Sequence, residues 1–317
     1  MCQKLSNLDA RIPAWDDTDL QVRSCPLCFE KNYQPRFVRP DNLTICHCPV
    51  CKTWFISPAP SETQLQLFYK QYDQTHRRSA PVDFRILATE RDLLSSSEEI
   101  CLAEVSSLTD IVGKRILDVG FGRGKLLYRC KILGAIPYGV EMDMDMVSMA
   151  RQHLGVNALC GSIFDLDLNE RFDVIFMNDF IEHLLEPKKV LQRARELLQP
   201  GGLLVIWTPN ASRALDDSNP ILFRVDLEHM TYLTCHSLFV IADTFGLDII
   251  HLETLGFAGL KGITTFKTGR FSFKQLIKLI PGFSKLNKLR HSFIDRKDSV
   301  RLGNYHLFAI FQNPVKR

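Results

Sequence analysis

Residues 115–127 read RILDVGFGRGKLL. An apolar strand carrying one acid, Asp118, runs into glycines at alternate positions, Gly120, Gly122 and Gly124, and then into an amphipathic run. Glycines after a strand let the backbone turn tightly and let a ligand approach the start of the following helix. A dinucleotide fingerprint would need a further glycine where this chain has Lys125. Asp118 also argues against a diphosphate: a carboxylate beside the turn repels phosphate oxygens and suits a cationic ligand bearing an amino group. Glu141 lies 23 residues beyond Asp118, at the end of the next apolar run. An acid in that place can accept both hydroxyls of a ribose.

The alternation continues on the carboxyl side. GKLLYRCKILG reads as helix, PYGVEM as strand, DMVSMARQHLG as helix and NALCG as strand. RFDVIFMND is then a strand, PKKVLQRARELLQ a helix and GGLLVIWTPN a strand. HSLFVIADTFG (236–246) adds a helix, LDIIHLETL a strand and YHLFAIFQ (305–312) the terminal strand. Such alternation predicts an α/β fold, a doubly wound and mostly parallel sheet of seven strands with helices on both faces.

On the amino side, CPLC (25–28) and CPVC (48–51) are separated by residues 29–47. A disulfide framework, a redox pair and a metal site are the alternatives. The amino terminus lacks an apolar signal region and the longest apolar run, GLLVIW (202–207), is far too short to span a membrane. A cytoplasmic, reducing setting is therefore the expectation, and clustered thiols there are more often metal ligands than disulfides. A redox pair would need a βαβ context and would not explain a second pair. The spacing is that of a zinc ribbon, with Cys25, Cys28, Cys48 and Cys51 as four thiolate ligands and Cys46 outside the shell. Four thiolates leave no open coordination position, so the zinc is read as structural.

Domain boundaries follow: residues 1–60 with the ribbon, a helical connector over 61–110, and 111–317 as the catalytic-type domain. SETQ (61–64) predicts a capping box, and residues about 86–108 a helix. Residues 257–303 form a basic insertion. Between 261 and 301 eleven Lys and Arg stand against Asp295 and Asp298, +9 in a chain whose net charge is +3. This segment suits an anionic membrane surface, giving peripheral attachment, or a phosphorylated ligand. A solvated helix covering the pocket is the plainer reading.

Together ILDVGFGRG, the acid of GVEMD, FDVIFMNDFIEHLLEP and LLQPGGLLVIWTPN make residues 80–255 resemble the class I S-adenosylmethionine-dependent methyltransferases, a Rossmann-like fold. The resemblance implies that Gly120, Gly122 and Gly124 back the methionine portion of the cofactor and that Asp118 holds its amino group. It implies Glu141 on ribose, Met142 against adenine and Asn178 near the sulfonium. Where the family often has Asp in the stretch CGSIFD, this chain has Ser162, which implies a weaker or water-mediated contact to the adenine amine. The ribbon followed by KTWFISPAP looks like the front of bacterial methyltransferases of sugars and related small molecules, in which a motif similar to LEHMTYLTCHSL (227–238) contributes to catalysis. Two departures limit that likeness: Asp226 stands where sugar C-methyltransferases carry tyrosine, and the chain has no room for their further C-terminal domain.

Methyl transfer needs in-line alignment and, for a hydroxyl or carbon acid, removal of a proton. His229 and His183 are the candidate bases, each able to titrate near neutrality. Asp179, Glu182, His183 and His229 are also a candidate set for a divalent metal that chelates a diol. The favoured acceptor is a small molecule: a saccharide, nucleotide sugar or lipid-linked sugar. An RNA methyltransferase that clamps its substrate with the ribbon and basic insertion is the first alternative, although the ribbon is not strongly basic. A non-catalytic binding protein that keeps the cofactor fold is the second. Neither the acceptor atom nor the oligomeric state is written in the sequence.

Overall fold

The computed structural model describes residues 12–75, 96–167, 169–256 and 305–315. The basic insertion and the front of the predicted helix over 86–108 lie outside the described residues. In chain order the elements are β1 (Leu20–Gln21), β2 (Gln34–Val38), β3 (Thr44–His47), β4 (Trp54–Ile56), β5 (Ala59–Pro60), α1 (Glu62–Thr75) and α2 (Ser96–Leu108). The second half holds β6 (Arg115–Val119), α3 (Lys125–Ile132), β7 (Ile136–Glu141), α4 (Met144–Met149), β8 (Asn157–Cys160) and β9 (Phe172–Asn178). There follow α5 (Pro187–Leu197), β10 (Leu198–Pro209), β11 (Thr231–Tyr232), α6 (Cys235–Phe245), β12 (Asp248–Leu255) and β13 (His306–Gln312).

Seven strands form the expected sheet in the order β12-β13-β10-β9-β6-β7-β8. All neighbours pair in parallel except β13, which runs antiparallel between β10 and β12. Side chains alternate across the pleat as strand geometry requires. Leu117, Val119, Ile175, Met177, Leu204 and Ile206 join α5 and α6 in one core, while Ile116, Val174, Phe176, Leu203 and Val205 join Cys101, Leu102 and Val105 of α2 in the other. Burial on both faces explains why the strands read as continuous apolar runs. The order reverses at β6, which sits between β7 and β9, so a crevice opens beyond the carboxyl ends of these strands. No described helix is long and apolar enough to cross a membrane.

Helix ends follow their capping residues. Thr234 and Ser237 make a reciprocal capping box at the start of α6, and Gly246 closes it in the left-handed conformation, φ 61°. At α1 only half of the expected box forms. Ser61 Oγ accepts from Gln64 N–H, but the Gln64 amide turns away to Asp16 and Asp19 of the amino-terminal segment. The predicted helix over 145–155 is α4 followed by a wider π turn, Ala150–Leu154, that Gly155 ends.

The ribbon shares its sheet with a strand distant in the chain. Its sheet has the order β11-β4-β3-β2, so a strand from the stretch LEHMTYLT completes it. Trp54, Ile45 and Ile56 of the ribbon pack with Phe223, Met230 and Tyr232 in one core, while Phe55 belongs to the core beneath α5 and α6.

Candidate active site

Strand β6 carries Asp118 to the crevice with only 5% of its surface exposed. Burial and the nearby carboxylates of Glu98 and Glu141 push its carboxyl well above the ordinary range. The turn that follows keeps Gly120, Gly122 and Gly124 at φ 73°, 52° and 69°. A Cβ at Gly120 would stand 2.5 Å from Phe180 Cδ2, so that glycine is required by packing as well as by conformation. At Gly122 nothing among the described residues lies within 4 Å, which leaves its face open to a ligand. Glu141 Oε2 accepts from Gly122 N–H at 2.9 Å, and Oε1 accepts from the Met142 and Asp143 N–H groups at 2.7 and 3.2 Å. These bonds fix the carboxylate at the end of β7 beside the glycine turn. Asn178, ending β9, has both amide atoms buried without a partner.

Several acids thus surround one crevice. Protein packed around Asp179, with Glu98 and Asp226 nearby, pushes its carboxyl up to about 7. Such a site fits a ligand with a positive charge and polar groups, which would pair with Asp118 and satisfy Asn178. Met142 and Phe164, 63% and 51% exposed, stand on the adjoining loops after β7 and β8. Ser162 is engaged locally: its Oγ caps the turn Ile163–Asp165 by accepting from Phe164 N–H and donating to Asp165. The hydroxyl expected to face adenine is therefore already bonded.

The two histidines meet at the mouth of the crevice. Their ring centroids are 4.8 Å apart, edge to face. His183 Nδ1 bonds to the Tyr69 hydroxyl of α1 at 2.9 Å, while His229 Nδ1 is buried without a partner. Burial, and for His229 its neighbours His183 and Arg39, lowers both pKa values, that of His229 well below 6.5. The expectation that both titrate near neutrality is corrected accordingly: burial holds each ring neutral and makes it a weaker base than a free imidazole. Glu182, His183 and His229 bring one ligand atom each within 4.8 Å of the others. Asp179 does not join them. Its φ of 47° turns the chain, and its carboxylate does not stand with the other three ligand atoms, so the expected four-residue metal set is corrected to three. Glu182 is almost wholly buried; Oε2 accepts from Thr208 at 2.9 Å and Oε1 has no partner.

At the other end, Cys25, Cys28, Cys48 and Cys51 offer sulfurs all within 4.8 Å, with Cys25–Cys51 at 3.4 Å and Cys28–Cys48 at 3.5 Å. Four thiolates ~2.3 Å from one zinc ion would stand ~3.8 Å apart, so the set fits the ion. The two turns are built alike. Cys25 N–H donates to Glu30 O and Phe29 N–H to Cys25 O; Cys48 N–H donates to Thr53 O and Lys52 N–H to Cys48 O. Phe29 and Lys52 both take positive φ. The neighbouring Cys51 thiol and burial hold the Cys25 thiol well above its ordinary range, and burial pushes that of Cys48 up to about 12; N–H groups of Leu27 and Cys28 at the Cys25 sulfur, and of Cys51 and Val50 at the Cys48 sulfur, oppose these shifts. Cys46 is buried apart from this group and donates to Ser57 O.

Sequence reasoning missed Glu98, Tyr69 and Phe180. Tyr69 and Glu98 come from segments remote in the chain that only the fold brings to the crevice, while Phe180 lies within FIEHL and its packing against Gly120 is what the sequence does not show.

Residues 95–252 match the profile of a family described as a methyltransferase domain. A ubiquinone biosynthesis O-methyltransferase of Bradyrhizobium diazoefficiens is 32% identical over 111 residues, 33% of this chain and 44% of that protein. One of the same name from Haemophilus ducreyi is 35% identical over 111 residues, 32% and 47% of the two chains. The match thus spans less than half the length of these curated relatives. Among solved structures, an S-adenosylmethionine-dependent methyltransferase from Archaeoglobus fulgidus aligns over 77% of this chain and 99% of its own, at 18% identity and TM-score 0.46. The profile match and the strand order agree, and the stretch from residue 95 to residue 252 belongs to the class I S-adenosylmethionine-dependent methyltransferases.

Proposed function

We propose that the chain transfers a methyl group from S-adenosylmethionine to a hydroxyl of a small molecule. The observation that carries this reading is the crevice at β6, where Asp118 is buried near the carboxylates of Glu98 and Glu141, and Glu141 is fixed beside an open glycine turn. Asp118 would hold the cofactor ammonium, Glu141 the ribose hydroxyls and Gly120–Gly124 the backbone of the turn. Met142 and Phe164 offer apolar surface for adenine, and Asn178 faces the sulfonium end. S-adenosylmethionine would supply an electrophilic methyl carbon. A neutral imidazole, His229 or His183, takes the acceptor proton as the carbon–oxygen bond forms and the carbon–sulfur bond breaks, with that electron pair leaving on the thioether.

The acceptor we infer is hydroxylated and small, with a saccharide, nucleotide sugar or lipid-linked sugar favoured by the ribbon-plus-methyltransferase arrangement. The names of the curated relatives refer to O-methylation in ubiquinone biosynthesis, which supports oxygen as the acceptor and not a sugar in particular. Incubating cell extract with the protein and methyl-labelled S-adenosylmethionine should label one small molecule. Labelled RNA instead would replace the acceptor assignment, and no label together with no calorimetric binding of S-adenosylhomocysteine would overturn the enzymatic reading.

A second reading of the acceptor side is favoured by Glu182 Oε1 and His229 Nδ1, both buried and unpartnered within the three-residue group. Glu182, His183 and His229 would hold a divalent cation that orients the hydroxyl. Under this reading transfer stops on removal of that cation and returns with added magnesium or manganese; transfer that survives complete removal leaves the histidines as bases alone.

A further inference from the structure

Two arginines of the ribbon reach the segments that carry the histidines. Arg23 lies two residues before Cys25, and Arg39 lies between the two cysteine pairs. Arg23 donates Nε–H to Ile56 O at 2.7 Å, Nη1–H to Leu185 O at 2.6 Å and Nη2–H to Met230 O at 2.6 Å. One guanidinium therefore joins the ribbon to the residue two past His183 and to the residue one past His229. Arg39 is 2% exposed. Its Nη1 donates to His229 O at 2.6 Å and to the Tyr232 hydroxyl at 3.0 Å, and its Nη2 donates to Leu227 O. Asp41 neutralises it and in turn accepts from Trp15 Nε1 at 2.8 Å.

The backbone around these contacts is stitched together. Met230 N–H donates to Glu182 O at 2.8 Å, Ile56 N–H donates to Met230 O at 3.1 Å, and Thr231 Oγ1 donates to Leu184 O at 2.9 Å. Strand β11 pairs with β4 at Thr231↔Phe55 and Tyr232↔Trp54. Beyond it, Ser237 of α6 donates to Cys51 O, the carbonyl of a zinc-site cysteine. By contrast, Asp118, Gly122 and Glu141 are placed by the parallel strands β6, β7 and β9.

We propose that Arg23 and Arg39 are positioning residues: the ribbon, held by its thiolate-bound zinc, sets the place of His229 and His183 while leaving the cofactor crevice to the parallel sheet. The fixed fork of a guanidinium suits this task, because its several N–H groups reach carbonyls from separate loops at once, which a lysine ammonium cannot match. Loss of the clamp then separates two capacities that depend on one another in catalysis. Cofactor binding persists and transfer fails. The inference rests on the methyltransferase reading for its consequence in catalysis, but not for the coupling itself.

The experiment compares the full-length protein with Arg23→Met and Arg39→Ala, and with the wild-type protein stripped of zinc by a chelator, by hydrogen exchange and calorimetry. Amides of 227–232 and 182–185 should exchange at least tenfold faster in all three, while those of 116–122 and 138–141 keep wild-type protection. The affinity for S-adenosylhomocysteine should stay within twofold, and labelled-methyl incorporation from extract should fall more than tenfold at saturating donor. Millimolar guanidinium chloride should restore protection in Arg39→Ala, a response that general destabilisation does not give. Arg23→Met, which leaves no buried acid behind, serves if Arg39→Ala fails to fold. Unchanged exchange at 227–232 in Arg23→Met, or equal loss of protection at 116–122, overturns the proposal. If the wild-type protein itself fails to bind S-adenosylhomocysteine, the methyltransferase reading falls while the exchange comparison still decides the coupling.

Discussion

The thiolate cluster and the glycine-turn crevice treat buried polar groups in opposite ways. At the cluster the four sulfurs face one another, and two turns of the same build point N–H groups at them. At the crevice buried Asp118 lies near the carboxylates of Glu98 and Glu141, and the Asn178 amide has no partner among the described residues. A set of like donors closed upon itself is the signature of a structural metal. Polar atoms kept buried without partners carry a cost of ~1–3 kcal/mol each, which persists where a ligand offsets it. The difference separates what holds the chain together from what the chain holds.

The comparison would break most dramatically at the cysteines. Cys48→Ser should remove the metal from its site, reducing zinc from one ion per chain to none by elemental analysis. Because structural zinc contributes on the order of 10 kcal/mol to small folds, the amino-terminal region should become protease-sensitive. Next is Asp118→Asn, which replaces a charged acceptor worth ~1.5–3 kcal/mol and should weaken S-adenosylhomocysteine binding by roughly 10- to 100-fold by calorimetry. The same carboxyl predicts a pH dependence. Its pKa is raised in the free protein, and a ligand ammonium favours its ionised form, so binding releases a proton and weakens as the pH falls below that raised value. Affinity that is flat across this range, or that strengthens on acidification, removes Asp118 from the ligand.

Smaller effects sharpen the contrast. Gly120→Ala sets a Cβ against Phe180 at positive φ and should cost ~1–3 kcal/mol in chemical unfolding, as well as displacing the ring beside the crevice. Ser162→Ala should show the least: ~0.5–1 kcal/mol from the lost cap, with cofactor affinity within about threefold of wild type. A tenfold loss of affinity there would restore the direct adenine contact that the local hydrogen bonds argue against.

Features built from neighbouring residues were legible in the sequence. The glycine turn, the strand–helix alternation and the paired cysteines each declare themselves within a few residues, because hydrophobic period, turn chemistry and ligand spacing are local quantities. The ribbon's dependence on the distant strand β11 is not of that kind. Arg23 meets Leu185 and Met230 across 162 and 207 residues, and Arg39 meets His229 across 190. In sequence those arginines read as surface charge, since nothing around them announces the carbonyls they will find. The same limit hid Tyr69 and Glu98 from the site and placed Asp179 in a metal set its turn prevents. Ser162 shows the converse: its position in the motif suggested a ligand contact, and a capping bond three residues long had first claim on it.

The antiparallel strand β13 has one more consequence. Leu255, the last residue of β12, is paired with His306, the first of β13, and Tyr305 O accepts from Asn210 N–H at 2.7 Å. The chain therefore leaves and re-enters the sheet through adjoining doors, at the end where the crevice opens. Closure entropy grows slowly, ~0.6 kcal/mol for each doubling of length, so the polypeptide between those points can be lengthened, shortened or exchanged with little strain on the sheet. The pairing of Leu255 with His306 thus holds both ends of that stretch together whatever its length.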